Sequence, residues 1–223
     1  MKTIKIKIPA TTANFGSGFD VLGAALKLYN EIEVGVQHAE PVRSPKSEVQ
    51  GIKIEIIGEG KDVLPCNEKN IVYQAMKVVF GKLHITSYKL QIKLINKIPL
   101  ARGLGSSAAA RLGGVIAANE ICDRKLSEDE IIQIVSKSEG HPDNVTPAYF
   151  GGLCVCNFSG KNVEYTRLKM PFGLKAVLCI PDFELSTAKA RDVLPEMVLH
   201  KDAVFNSSRV ALFVSAIVQR KYN

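Results

Sequence analysis

"ARGLGSSAAA", residues 101–110, is a run of glycine, serine and alanine set between two segments of different periodicity. Before it, "KLQIKLI" (89–95) alternates apolar and polar residues as a half-buried strand does. After it, "SAAARLGGVIAANEI" (107–121) carries apolar residues on more than one side, as a buried helix does. The small residues therefore sit in a strand-to-helix connection. A helix N-terminus carries unpaired N–H groups and partial positive charge, so a phosphate fits there. Glycines let the backbone approach the phosphate oxygens, and serine hydroxyls bond them or complete a Mg²⁺ shell. The Walker A pattern GxxxxGK[ST] is absent. "GLGSSA" (103–108) fits GxGxxA, and Asp123 follows Gly103 by 20 residues. That dinucleotide fingerprint needs a second strand ending in the acidic residue. Here "ANEICDRKLSEDE" (118–130) instead runs from one helix into the cap of another, so the match is read as accidental. On this loop alone, a tight turn without a ligand stays open.

Outward from the loop, "KTIKIKI" (2–8), "EIEVGV" (31–36) and "IKIEII" (52–57) read as further strands. Residues 38–50 are polar with two prolines and read as an exposed excursion. "NEKNIVYQAMKVVFGK" (67–82) has helical spacing and ends at Gly81. "SEDEIIQIVSK" (127–137) opens with a capping box, Ser127 to Glu130. "FGGLCVCNF" (150–158) and "LKAVLCI" (174–180) read as strands; "STAKARDVL" (186–194) and "DAVFNSSRVALFVSAIVQR" (202–220) read as helices. Mixed blocks of strands and helices give an α+β class, with a boundary expected within 155–165.

The 223 residues are 46% hydrophobic, and no apolar run is long enough to span a bilayer. "MKTIKIKIPA" alternates Lys with Ile and does not read as a signal peptide. The five cysteines have no CxxC pair and no histidine at metal spacing, and are expected to be buried thiols of a reduced, cytoplasmic protein. Cys154 and Cys156 share one face of a strand. The net charge of +7 is scattered, without the Arg–aromatic clustering of a nucleic-acid surface. It is compatible with a basic cleft for a polyphosphate.

Two more polar groupings stand outside any apolar periodicity. "PATTANFGSGFD" (9–20) sets Asn14 and Asp20 either side of two glycines, and "SEGHPDNVTPAYFGG" (138–152) gathers Glu139, His141, Asp143 and Asn144. With "PLARGLGSSAA" (99–109), these stretches resemble the GHMP family of small-molecule kinases, within it the branch acting on L-homoserine. The matching patterns are PxxxGLGSSAA, PATxANxGPGFD and EGHPDNVxPAxxGG, and the resemblance runs from residue 4 to about 219.

The resemblance implies a ribosomal protein S5 domain 2-like N-terminal domain (1–158) followed by an incomplete ferredoxin-like C-terminal domain (159–223). The implied reaction moves the ATP γ-phosphoryl group to the hydroxyl of L-homoserine, a step toward threonine. Pro99, Leu100, Ala101, Arg102, Gly103, Leu104, Gly105, Ser106, Ser107, Ala108 and Ala109 would form the ATP loop, with Asn70 near the adenine. Ser107 and Glu139 would hold Mg²⁺. Asn14, Asp20, His141, Asn144, Thr187 and Arg191 would bind the amino acid, Asp20 taking its ammonium and Arg191 its carboxylate. Where many relatives carry an aspartate, Asn144 cannot accept a proton, so it is expected to orient the hydroxyl, with Asp143 as rival base. Asn144 and Glu139 are thus the candidate catalytic residues.

Three departures stand out. The late glycine-rich SGSGP-like motif is absent, Ser17 replaces a proline, and Arg111 puts a charge early in the phosphate-loop helix. Incompleteness would expose apolar surface and an unpaired sheet edge, and a homodimer is a reasonable expectation. The alternatives are an impaired fragment that binds nucleotide, a kinase of another small alcohol and, more remotely, an RNA-binding module; no membrane partner is expected.

Overall fold

The computed structural model describes residues 2–38, 51–85, 88–180 and 187–221. Of the polar excursion expected over 38–50, all but His38 lies outside the described residues. Alternation of Ile or Val with Lys or Glu makes β1 (Lys2–Asn14) and β2 (Gly18–His38), which pair antiparallel with Lys2 opposite Val36 and Ile8 opposite Asn30. Ile4, Ile8, Ile32, Val34 and Val36 bury the face this alternation marks. β1 runs on past the patterned segment. The ladder shifts register between Pro9 and Thr11, a bulge that accommodates a residue with no N–H to donate.

β2 organises the sheet. Besides β1, it pairs over 31–38 with β4 (Tyr88–Asn96) and over 22–24 with β5 (Leu153–Phe158), both antiparallel. β3 (Ile52–Gly58) lies parallel to β4, and β6 (Val163–Leu168) pairs with β5, giving the order β3-β4-β2-β5-β6 with β1 beside β2.

Four helices pack with this sheet: α1 (Ile71–Lys82), α2 (Ser106–Ile121), α3 (Glu128–Glu139) and α4 (Val145–Phe150). α2 is central, and Ala108, Ala109, Leu112, Val115, Ala117 and Ala118 are buried along it. Its small side chains let sheet and neighbouring helices close on it from several sides. The Ser127–Glu130 capping box forms as the spacing predicts. Buried Asn119 ties the turn between α2 and α3, donating to the Leu126 carbonyl at 3.1 Å and accepting from its N–H at 2.9 Å. Asp123 lies in that turn and ends no strand.

Two expectations are corrected. Residues 174–180 form no strand; they are exposed, and no neighbouring backbone among the described residues takes up their N–H and C=O groups. Cys122, Cys154 and Cys156 are buried, but Cys66 and Cys179 are exposed, each lying in irregular chain outside the core. The polar stretch within 155–165 is the turn of the β5–β6 hairpin, where the Ser159 N–H donates to the Asn162 carbonyl at 3.1 Å. β6 beyond that turn carries the sheet to Leu168.

Beyond it come α5 (Thr187–Asp192) and α6 (His200–Gln219), and α6 has no buried residue. α6 touches the β1–β2 loop where Phe213 meets Phe15, ring centres 5.6 Å apart. No helix among the described residues is long and apolar enough to cross a membrane.

Candidate active site

The connection from β4 to α2 is held at both ends. The Asn30 side chain accepts from the Lys97 and Ile98 amides at 2.7 and 2.9 Å, and the Thr11 amide donates to the Leu104 carbonyl at 3.1 Å. Between these anchors Gly103 (φ +68°) and Gly105 (φ +67°) take left-handed turns. At Gly103 a side chain would meet nothing, whereas at Gly105 a Cβ would run into the Thr11 hydroxyl. Gly105 caps α2 without any side-chain hydrogen bond, and the first turn has no acidic residue. The positive end of the helix is left for an anion from outside.

This end opens on a cleft of about 660 Å³ that gathers much of what the sequence singled out: Pro99, Ala101–Ala108, Asn14, Asp20, Glu139, His141, Asn144 and Arg191. A second, mostly apolar cleft of about 280 Å³ shares Ala101, Ser106 and Ser107 with it and continues past Leu64, Pro65, Asn70 and Leu100. Asn70 is 2% exposed, and its amide is already engaged. It caps α1 by accepting from the Val72 N–H at 3.0 Å and donates to the Pro65 carbonyl at 2.8 Å. Its place is therefore structural as well as beside the cleft. Ala109 is buried in the helix behind the loop.

Opposite the loop, α3 ends at Glu139, and the chain turns through His141 and Asp143 to Asn144 at the head of α4. The Thr11 hydroxyl donates to Asn144 Oδ1 at 2.7 Å, and Asn144 Nδ2 donates to Asp143 Oδ1 at 3.3 Å. These contacts settle which way the amide faces. Asp143 is 2% exposed and lies 2.5 Å from His141 Nδ1. That hydrogen bond raises the His141 pKa above its ordinary value, against the opposing effect of burial. Both contacts fall on the same Asp143 oxygen, so Oδ1 is shared between the histidine and the Asn144 amide.

Asp20 and Arg191 are joined to each other. Nη1 and Nη2 of Arg191 reach the two carboxylate oxygens of Asp20 at 2.9 and 2.5 Å, and the guanidinium lies 5.0 Å from the Phe19 ring centre. The residues expected at opposite ends of a ligand thus form one bidentate pair. Asn14 Oδ1 accepts from the Asp20 amide at 3.2 Å and holds the loop. Thr187 begins α5, and its side chain lies outside the described residues. Ligand atoms of Asp20, His141 and Asp143 lie within 4.8 Å of one another, but Arg191 and His141 already occupy the two carboxylates.

Two contributors escaped the sequence reading: Thr11 was visible only as a motif letter, and Asn30 as one polar residue between patterned segments.

The curated homoserine kinase of Caldicellulosiruptor saccharolyticus is 47% identical over 220 residues, covering 99% of this chain and 68% of the relative. The chain belongs to the homoserine kinases. That of Petrotoga mobilis is 47% identical over 215 residues, 96% of this chain and 66% of the relative. The family model for the GHMP kinases N terminal domain matches residues 70–152. A crystal structure of homoserine kinase from Cytophaga hutchinsonii superposes with a TM-score of 0.79 at 28% identity, over 99% of this chain and 69% of the other. The chain spans about two thirds of the length of the curated homoserine kinases it matches.

Two donors beside the β4–α2 connection suit a hard cation. Ser107 donates to Glu139 Oε1 at 2.8 Å, so a hydroxyl and a carboxylate converge at the start of α2. The pair already holds a positive group, the guanidinium of Arg111.

Proposed function

We propose that the chain transfers the γ-phosphoryl group of ATP to the hydroxyl of L-homoserine. The observation that carries this reading is one cleft with an uncapped α2 N-terminus on one wall and the Asp20–Arg191 pair on another. The amides of Gly103–Ser106 receive the phosphates, and the adjoining apolar cleft beside Asn70 takes the adenine. Ser107 and Glu139 would hold Mg²⁺, which would supply charge to offset that of the phosphates.

An amino acid suits the other wall because it is a zwitterion. Its ammonium group replaces Arg191 at Asp20 while its carboxylate replaces Asp20 at Arg191, so neither protein charge loses a partner. Asn14 holds the Asp20 loop. His141, whose pKa the Asp143 hydrogen bond raises, lines the same cleft, and Asn144 presents its amide to the reacting hydroxyl. Phosphoryl transfer through a loose transition state depends on positioning and charge neutralisation, which allows chemistry without a dedicated protein base. In this reading an S5-like N-terminal unit carries the sheet through Leu168, and the chain after it contributes to a ferredoxin-like unit.

The test is ADP release from MgATP with L-homoserine, with mevalonate or with no acceptor. Stimulation by L-homoserine alone is expected. Equal stimulation by mevalonate removes the amino-acid assignment, and acceptor-independent release removes the kinase reading.

A further inference from the structure

Arg111 is the charged residue that the phosphate-cradle reading leaves over. It lies one turn into α2, and its guanidinium contacts both the Ser107 hydroxyl and Glu139 Oε1. The Glu139 side chain is 8% exposed and that of Arg111 is 25% exposed. Glu139 is also the last residue of α3, where the helix dipole disfavours negative charge. A nearly buried carboxylate there requires a cationic partner, and α2 supplies it.

We infer that Arg111 is a built-in counter-cation that holds Ser107 and Glu139 together and competes with a divalent metal ion for the same two oxygens. The inference rests on the reading of Ser107 and Glu139 as the Mg²⁺ pair. A guanidinium cannot shed its proton at any ordinary pH, so a metal ion cannot share the site by neutralising it. The arginine has to leave, and its partial exposure gives it a way into solvent. The consequence is a site held in shape before the metal arrives, at the expense of metal affinity.

The experiment measures Mn²⁺ binding by electron paramagnetic resonance of the free ion, for the unaltered chain, Arg111→Met and the double variant Arg111→Met/Glu139→Gln. Removing the competing charge is expected to tighten Mn²⁺ binding by about tenfold or more. The double variant is expected to lose that gain. Arg111→Met alone is expected to melt at lower temperature in chelator and to show a larger Mn²⁺-dependent rise than the unaltered chain. Arg111→Lys, which keeps the charge without the fork, should fall between the two. Unchanged or weaker Mn²⁺ binding in Arg111→Met overturns the inference, as does a gain that survives loss of the Glu139 carboxylate. ADP binding measured by calorimetry in chelator tests the underlying reading separately. Its absence from every variant overturns the phosphate assignment and leaves the Mn²⁺ comparison to decide on Arg111.

Discussion

His141 and Asp143 stand two positions apart in the sequence, but which of the polar residues around them face each other depends on the turn between α3 and α4. With the Asp143 carboxylate at 2.5 Å, the imidazole keeps its proton to a higher pH than a free histidine. A folded-state pKa above the unfolded one means that the pair's stabilisation is complete below the unfolded value, about 6.5, and is lost as pH rises through the higher folded value. The difference in urea-unfolding free energy between the unaltered chain and His141→Gln is therefore expected to be about 1–3 kcal/mol at pH 6 and to shrink by pH 9. A difference that stays flat across that range rules out the ionic pairing. The polar residues of 139–144 were legible as a group because they break apolar periodicity. Their partners were not: Thr11 lies 133 positions from Asn144, and Arg191 lies 171 from Asp20. Local spacing carries no information about such pairs.

Among the elements, the start of α2 makes the sharpest demands on residue type. Gly103 and Gly105 share a left-handed backbone but differ in surroundings. Gly103→Ala incurs only the conformational cost, about 1 kcal/mol. Gly105→Ala adds a collision with the Thr11 side chain, for a total of about 2–4 kcal/mol. Urea unfolding of the two variants should show that order, and the reverse order would contradict the packing of α2 against β1. The strands and α3 were readable because period-two alternation and a capping box are local signals. β1 continuing through Pro9 was not, since only its partner strand absorbs the bulge. The apolar run 174–180 has strand-like composition without a strand, because pairing is a property of two segments and the sequence displays one.

Over the whole molecule, burial divides the thiols. Loss of solvent pushes the Cys154 pKa up to about 11 and the Cys156 pKa up to about 12, so both remain protonated and unreactive near neutrality. Iodoacetamide at pH 7.5 is expected to label Cys66 and Cys179 in the native chain and all five cysteines in urea. Native labelling of Cys154 or Cys156 would contradict the closure of β5 against β2. The α+β class was legible from the mixture of periods. The placement of β2 was not, because a strand of 21 residues with two different neighbours along one side has no distinct sequence pattern.

That arrangement sets an order of events during synthesis. The second half of β2 can pair with β4 once residue 96 has been made, but the first half must wait about 130 residues for β5. At about 5–20 residues per second, this is a delay of roughly 6–26 s after Ala24 is added. Gly23 lies directly against the Asp143 carbonyl, so the segment bearing His141, Asp143 and Asn144 settles over the half-strand that closes late. On the ribosome, the loop between β4 and α2 can form on finished scaffolding while the wall facing it is still being translated.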